Sequence, residues 1–387
     1  MRKTYRKKYS VKKRKNKTKK YGRKGGMPPK KQKELPHQPI TMTYDDILAK
    51  LNWAAIAQNP GAMPLIKENM DKIDINELAK NPNPEAVAIV ATRLNELQHW
   101  RDISKNPSAI GILKNNIGKV SWQSIFSNPN PEVLDMVRQN FHTIEEEPNT
   151  ISVMNGTFVK QPYAAEFFIN EHPFPGLADL LAFNTSPAAM AYIEQHINEL
   201  PKGVWAWREL SANPSACAIL ENNRDKIFYE HLASNPNCLH LLPENLKNMD
   251  GIFWANIAKN PQPEAINIFL SGYPSFNFWK YFAQNPNPEV IEIFRKNLAR
   301  AYEQTSYLSE NPNAIKLLGD YFANEIKWKQ ASSNPRIMDL INEIGYQSRK
   351  PLIKMVEGNK EPKNKKQVGL PPILSNPDWH KDLTTYL

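Results

Sequence analysis

The residues best suited to a chemical role are the lysines and arginines at the start of the chain. Residues 1–33 contain 17 of the 50 Lys and Arg residues and no Asp or Glu, with Tyr5, Tyr9 and Tyr21 interleaved. Like charges at this density repel one another and do not fold alone. Their physical use is to neutralise phosphates and release counterions. We predict a disordered or extended basic arm over residues 1–36, with polyanion contacts made by Arg2, Lys3, Arg6, Lys7, Lys8, Lys12, Lys13, Arg14, Lys15, Lys17, Lys19, Lys20, Arg23 and Lys24.

The arm indicates a polyanion without identifying which one. Nucleic acid, an anionic membrane and an acidic protein surface are all open, and such runs also serve as nuclear localisation signals. No zinc-ligand spacing or RNA-recognition signature accompanies the arm, so sequence-specific base recognition is not expected. A tail that only increases solubility is the plain alternative.

Catalytic and metal-binding patterns are missing from the rest of the sequence. It contains no GxGxxG, P-loop, HExxH or GxSxG motif, and its 8 histidines show no ligand spacing. Asp45–Asp46 and Glu145–Glu147 are expected to be solvated patches. We therefore predict no enzyme, no cofactor, no metal site and no small-molecule substrate.

The two cysteines, Cys217 and Cys238, form no CxxC pair. We expect them to be reduced core side chains in a reducing compartment. No apolar run of 18 residues predicts a membrane span, and the charged start of the chain does not resemble a secretory signal.

The dipeptide Asn-Pro marks a series of repeats in the chain that follows the arm. It returns about every 22–26 residues, a period typical of repeat arrays. Residues 34–387 together are mildly acidic, because they contain 33 basic and 39 acidic residues. The repeats are marked by Asn59, Asn81, Asn106, Asn128, Asn213, Asn235, Asn260, Asn285, Asn311 and Asn334.

Three further positions recur in most repeats. Trp usually stands six residues before the Asn, with Ile75, Tyr229 or Thr305 elsewhere; an aliphatic residue or Phe stands three before, and usually Ala or Ser two before. The first two share one helical face because of their i, i+3 spacing. We predict a buried tryptophan ladder between layers; an exposed strip that stacks bases or peptides is the alternative. The column consists of Trp53, Trp100, Trp122, Trp207, Trp254, Trp279 and Trp328.

The Asn-Pro pair predicts that one helix ends there and that another begins shortly after it. A residue before proline is pushed out of the α region, and Asn tolerates turn geometry. Asn or Ser two residues later is a favoured N-cap, followed in several repeats by Pro-Glu. The predicted fold is all-α: an α-solenoid of helix–turn–helix repeats of ~24 residues, over residues 37–140 and 177–346, which stack into a rigid rod.

Two segments depart from this period. Residues 141–176 are predicted to be an insertion with a β-hairpin, because β-formers flank Asn155-Gly156; a plug over a packing defect is the alternative. Residues 347–387 are predicted to be an extended tail. Both could hold partners, through Val153, Asn155, Gly156 and Phe158 of the hairpin and Trp379 of the tail.

The repeat units resemble a known family. Residues 308–318 (LSENPNAIKLL) and 232–242 (LASNPNCLHLL) are similar to the Asn-Pro-Asn-Ala-Ile repeat proteins of large icosahedral DNA viruses of algae and amoebae. The resemblance covers about residues 45–340. A bacterial leucine-rich-repeat variant shares the Asn-Pro period but lacks the Trp column.

This resemblance implies a virion component, and a minor capsid protein is the role expected from it. The implied function is a non-enzymatic structural protein that bridges the major capsid protein and neighbouring minor proteins. An arm that reaches inward toward genome or anionic membrane implies a place on the inner face of the capsid. It would be made in the host cytoplasm or nucleus. The alternatives are a virion protein that tethers DNA by its arm and a host-directed protein-interaction adaptor.

Overall fold

A computed structural model of the chain describes residues 40, 42–200, 204–272 and 276–358. The basic arm lies outside the described residues, as do residues 359–387 with Trp379. No β-strand occurs in the described part, which consists of many short packed helices. The all-helical class predicted from the sequence is therefore confirmed.

The helices are short because each Asn-Pro pair ends one of them. Their bounds are α1 Tyr44–Lys50, α2 Trp53–Gln58, α3 Met63–Glu68, α4 Ile75–Leu78, α5 Pro84–Thr92, α6 Arg101–Lys105, α7 Ile110–Asn115, α8 Trp122–Ile125, α9 Val133–Gln139, α10 Phe141–Glu146, α11 Thr150–Thr157, α12 Leu177–Leu181, α13 Pro187–Gln195, α14 Val204–Ala212, α15 Cys217–Glu221, α16 Tyr229–Leu232, α17 Gly251–Lys259, α18 Pro263–Ser271, α19 Trp279–Ala283, α20 Pro288–Arg295, α21 Leu298–Glu303, α22 Thr305–Glu310, α23 Ile315–Tyr321, α24 Trp328–Ala331 and α25 Ile337–Gly358.

Short 3-10 and π-helical segments connect many of these elements. A π-helical segment spans Phe167–Glu171. The 3-10 segments are Pro60–Ala62, Met70–Lys72, Leu94–Glu96, Pro107–Ala109, Ile117–Lys119, Phe158–Lys160, Pro162–Ala164, Arg224–Lys226, Leu239–Leu241, Phe276–Phe278 and Ala323–Glu325.

The first repeat illustrates how the turn is made. Asn59 ends α2 in an extended conformation, with φ −84° and ψ 114°, as expected for a residue before proline. Its Oδ1 accepts a hydrogen bond from the Gly61 N–H at 2.9 Å, which caps the following 3-10 turn. The Asn side chain thus starts the second segment of the repeat as well as ending the first.

The aliphatic residue three positions before each Asn lies in the core. These side chains are at most 1% exposed and pack into one continuous hydrophobic cluster. Burial of such side chains is the main favourable term in folding. They are Ile56, Leu78, Ile103, Ile125, Leu210, Leu232, Ile257, Phe282 and Leu308.

The seven tryptophans of the column differ in exposure. Three are buried, namely Trp122, Trp207 and Trp328. The other four are half-buried, and three of those have a cation over the ring: Lys72 over Trp53, Lys119 over Trp100 and Arg300 over Trp279, at 4.7, 5.4 and 4.5 Å from the centroid. None of the seven is fully exposed, and burial is nearly complete at three of the seven positions.

The predicted β-hairpin is wrong, because residues 150–157 form helix α11. A tight hairpin turn needs positive φ at its central residues, yet Asn149 and Gly176 are the described residues with positive φ, not Asn155 or Gly156. Thr150, Met154 and Phe158 recur at a spacing of four and are all buried. This helical periodicity outweighs the local Asn-Gly turn signal.

The predicted extended tail is wrong for residues 347–358, and its remainder lies outside the described residues. Helix α25 runs on to Gly358 through Pro351. The residues after Pro351 include Leu, Lys, Met and Glu, which favour helix, whereas the proline removes a single backbone donor.

The two cysteines are joined, contrary to the expected pair of reduced side chains. Cys217 and Cys238 form a disulfide whose Cα atoms lie 5.5 Å apart, with a sequence separation of 21. They stand four and three residues after Asn213 and Asn235. Because equivalent segments of successive repeats pack side by side, this phase places the two sulfur atoms in contact.

Candidate functional site

The repeat asparagines connect each repeat to the one before it. Asn285 is typical: its Nδ2 donates to the carbonyl oxygens of Ala258 and Asn260, at 2.8 and 2.9 Å. Its Oδ1 accepts from the Asn287 N–H at 2.9 Å. The side chain is fully buried, and these three bonds satisfy polar groups that would otherwise be costly to bury.

We call this arrangement the asparagine ladder. In every case the side-chain amide donates to two backbone carbonyl oxygens. One belongs to the ladder residue of the previous repeat, and the other belongs to the residue two positions before that ladder residue. The ladder connects Asn81 to Ala57 and Asn59, Asn106 to Ala79 and Asn81, Asn128 to Ser104 and Asn106, Asn184 to Val159 and Gln161, Asn213 to Ala182 and Asn184, Asn235 to Ser211 and Asn213, Asn260 to Ala233 and Asn235, Asn311 to Ala283 and Asn285, and Asn334 to Ser309 and Asn311.

The ladder continues through residues 141–176, which were predicted to be an insertion. Gln161-Pro162 takes the place of Asn-Pro there. Two side chains share the role of one Asn: Gln161 Nε2 donates to the Phe126 carbonyl at 3.3 Å, and the Tyr163 hydroxyl donates to the Asn128 carbonyl at 2.7 Å. The segment therefore contains a divergent repeat that links the two halves of the array.

Replacing Tyr163 with phenylalanine is expected to lower the free energy of unfolding by about 1–2 kcal/mol, because the Asn128 carbonyl loses its donor. Burial raises the pKa of the Tyr163 hydroxyl, so this group stays a donor at neutral pH. Chemical denaturation would measure the change. Tyr192→Phe is the control, since the Tyr192 ring stacks on His196 and no bond of its hydroxyl supports the ladder. Equal effects of the two substitutions would contradict the assigned role.

The ladder closes on itself at the first and last repeats. Asn59 Nδ2 donates to the carbonyls of Ser332 and Asn334, at 2.9 and 2.7 Å, across 273 and 275 residues of sequence. These are the same bonds that other ladder residues make to the repeat before them. The predicted rod is therefore wrong, because the first and last repeats are bonded to each other.

A second type of bond repeats at this closing junction. Ser332 Oγ accepts the Asn52 N–H at 2.9 Å. Ser104 accepts the Ser121 N–H and Ser211 accepts the Phe228 N–H in the same manner, at 3.1 and 3.0 Å. Where the residue two positions before the ladder Asn is a serine, its hydroxyl thus fixes the start of the neighbouring repeat, at the closing junction as at interior ones.

Gly61 makes the closing junction different from the interior ones. Most other repeats carry Asn or Ser two residues after the ladder Asn, as in Asn287, whose Nδ2 donates to the Pro261 carbonyl at 2.7 Å. A Cβ on Gly61 would lie 1.8 Å from the Pro335 carbonyl oxygen. The two backbones therefore meet directly, and only glycine leaves room for this contact.

Helices on either side complete the closing junction. α1 packs against α24, and the start of the last repeat's second segment, α25, contacts the turn Pro60–Ala62. Thr43 and Asp46 form a capping box at the start of α1, and these hydrogen bonds lower the pKa of Asp46. Asp46 is exposed, as predicted for the solvated patch, and also completes the capping box of α1.

The predicted hairpin residues do not form one exposed contact surface. Val153, Asn155 and Gly156 are half-buried on α11. Phe158 is fully buried, with ring contacts to Phe126 at 5.5 Å and to other aromatic side chains. Phe158 is thus a core residue of the divergent repeat.

The described ranges hold no cluster of three or more His, Cys, Asp or Glu side chains with metal-ligand geometry. Their helices are too short or too polar to cross a membrane. The carboxyl of Asp179 has a pKa raised by burial, and its Oδ1 has no hydrogen-bond partner.

Sequence reasoning found the ladder asparagines as turn formers and missed them as donors. The available signal was the residue two positions before each Asn, which is usually small. Its backbone carbonyl is one of the two acceptors for the Asn of the next repeat. No protein-family model, curated protein or solved structure matches this chain significantly.

Proposed function

We propose that the described helices form an α-solenoid with joined ends, and that the chain is a non-enzymatic structural protein. Its proposed role is a minor capsid or scaffold component that bridges capsid subunits of a large DNA virus. The resemblance of its repeats to virion-associated repeat proteins supports the viral setting. The fold supports the structural part of the proposal independently of that resemblance.

The closed asparagine ladder is the observation that carries the proposal. Each ladder side chain is buried and uses its donors on the neighbouring repeat. Because both ends of the array are also bonded to each other, no repeat is left with a single neighbour. Such a body resists deformation and offers its outer surface to partners, which are properties required of a spacer.

The position of α1 supports a structural role for the basic arm. The chain reaches α1 through Ile40, Met42 and Thr43, and Ile40 and Met42 pack against the core. Thr43 caps α1, which in turn packs against α24 across the closing junction. A partner that holds the arm therefore pulls on a helix that packs across the closing junction.

Deletion of residues 1–33 tests the arm. We expect the helical circular dichroism signal and the melting temperature to remain nearly unchanged, and most binding to duplex DNA or heparin to disappear. If the arm contacts about 8 phosphates, log Kd against log salt concentration should have a slope of magnitude about 7.

An arm of unchanged length with every Lys and Arg replaced by Gln is the matched control. It should bind as weakly as the deletion. Undiminished DNA affinity in both variants would move the polyanion site onto the repeats and contradict the assignment.

Quantitative mass spectrometry of density-purified virions tests the structural role. We expect the protein in a fixed ratio to the major capsid protein, in intact particles and in particles emptied of DNA. Loss together with the DNA would favour the DNA-tethering alternative. Recovery only with host proteins from infected cells would favour the adaptor alternative and overturn the structural role.

A further inference from the structure

The residue directly before each ladder asparagine is polar and exposed in most repeats. Phe183 and Ala212 depart from this pattern in two consecutive repeats. Apolar side chains at a position that the repeat otherwise keeps polar indicate a contact surface. The exposed polar residues at this position are Gln58, Lys80, Lys105, Ser127, Ser234, Lys259, Gln284 and Ser333.

Trp205 forms an aromatic pair with Phe183. Trp205 lies near the start of α14 and is 44% exposed, and among the tryptophans of the described residues it alone is exposed. Its ring centroid lies 5.0 Å from that of Phe183, with the two planes at 59°. Trp205, Arg208 and Ala212 share one face of α14, because they are spaced by three and seven residues. The aromatic pair and Arg208 therefore belong to one surface.

Two cations flank this aromatic pair. Lys160 Nζ lies 4.1 Å from the ring centroid of Phe183. Arg208 is exposed, and its Cζ lies 5.4 Å from the ring centroid of Phe228. Within the described ranges neither cation forms an ion pair with a carboxylate, whereas Lys80, at the repeat position of Lys160, is paired. Both charges are therefore available to an anionic partner. The resulting surface, the Trp205 patch, consists of Lys160, Phe183, Trp205 and Arg208.

We propose that the Trp205 patch binds single-stranded nucleic acid. An unpaired base stacks on the exposed part of the Trp205 ring, and Lys160 and Arg208 neutralise the phosphates on either side of it. Proteins that hold single strands without reading their sequence combine the same two parts, an aromatic platform and cations along the backbone. In a duplex the bases stack on one another and offer Trp205 no free face. The patch therefore selects for single strands, whereas the basic arm contacts phosphates alone.

Fluorescence anisotropy with two single strands of equal charge tests the patch. The strands are oligo-dT of about 12 nucleotides and an abasic strand with the same number of phosphates. The protein is the full-length chain with Gln in place of every Lys and Arg of the arm, so that the arm does not mask the patch. We expect oligo-dT to bind about 10-fold more tightly than the abasic strand, as one stacked base provides. Equal dissociation constants would overturn the proposal.

Three substitutions in this chain separate stacking from charge. Trp205→Ala should remove the preference for oligo-dT. Arg208→Gln should weaken both strands alike and lower the slope of log Kd against log salt by about 0.7, the value for one phosphate of a single strand. Tyr302→Ala is the control, because Tyr302 is another exposed aromatic side chain, on α21, and the preference should survive its loss. An equal effect of Trp205→Ala and Tyr302→Ala would contradict the assigned site.

Crosslinking locates the site in the unaltered full-length protein. A single strand carrying bromodeoxyuridine is irradiated in the complex, and the crosslinked peptides are identified by mass spectrometry. We expect crosslinks at Trp205 in addition to those in the arm. Crosslinks confined to residues 1–33 would overturn the proposal. So would a poly-glutamate peptide whose binding depends on Trp205 when neither strand binds there, since the patch would then hold an acidic protein segment.

Discussion

Replacing Asn285 with alanine is expected to lower the free energy of unfolding by about 3–5 kcal/mol, as the loss of a buried polar network does. The substitution removes two donated bonds and one accepted bond. It leaves the carbonyls of Ala258 and Asn260 and the N–H of Asn287 without the side-chain partner. Chemical denaturation followed by circular dichroism would measure the change.

Asn267→Ala is the control for this prediction. Asn267 is exposed on α18, and its substitution should change stability by no more than about 0.5 kcal/mol. The ladder would lose its assigned energetic role if Asn285→Ala cost less than about 1 kcal/mol. Additional loss in Asn285→Ala/Asn311→Ala beyond the sum of the single effects would measure coupling along the ladder.

Replacing Gly61 with alanine is expected to open the closing junction and to cost about 3 kcal/mol of stability, as overpacking against a fixed neighbour does. The new Cβ would lie 1.8 Å from a backbone oxygen and 2.8 Å from the carbonyl carbon of Pro335. Main-chain atoms cannot swing aside as a flexible side chain can. The repeats must therefore separate, which removes the bonds of Asn59 to Ser332 and Asn334.

Amide exchange can locate this damage. The Asn52 N–H, bonded to Ser332 Oγ, reports on the closing junction, and the Phe228 N–H, bonded to Ser211 Oγ, reports on an interior one. We expect faster exchange at Asn52 only. Gly111→Ala is the matched control, because no atom lies within 4 Å of its added Cβ. Identical behaviour of the two glycine variants would refute the close contact.

Periodicity predicted the helical class because it averages over many repeats. The aliphatic position before each Asn recurs often enough to define the core, as Ile56 and Leu232 illustrate, and their burial follows. The turn at Asn59 was predictable from the proline that follows it. These features depend on residues that are close together in the sequence, so they can be predicted from the sequence alone.

Features set by contacts between repeats were harder to predict. The Asn155-Gly156 signal was local, whereas burial of Met154 and Phe158 on a helical face depends on the surrounding repeats. The Cys217–Cys238 pair required knowing that equal phases touch. The repeat at Gln161 was missed because no Asn stands there: Gln161 makes one of the two ladder hydrogen bonds and Tyr163 makes the other.

Closure left a single mark in the sequence, the glycine two residues after the first ladder Asn. The contact itself depends on the small rotation that each repeat adds to the last, summed over the array. No local pattern encodes that sum. Gly61 became informative only when the Pro335 carbonyl was seen to occupy the space of its missing side chain.

The closed ladder also constrains how this protein can evolve. Open repeat arrays gain and lose units by duplication and deletion, since an extra unit only lengthens the stack and terminal caps keep the ends soluble. Here Asn59 must meet the last repeat at hydrogen-bonding distance. A duplicated or deleted unit would bring the wrong faces together, so copy number is fixed, and divergence proceeds by substitution within units, as in the repeat of Gln161.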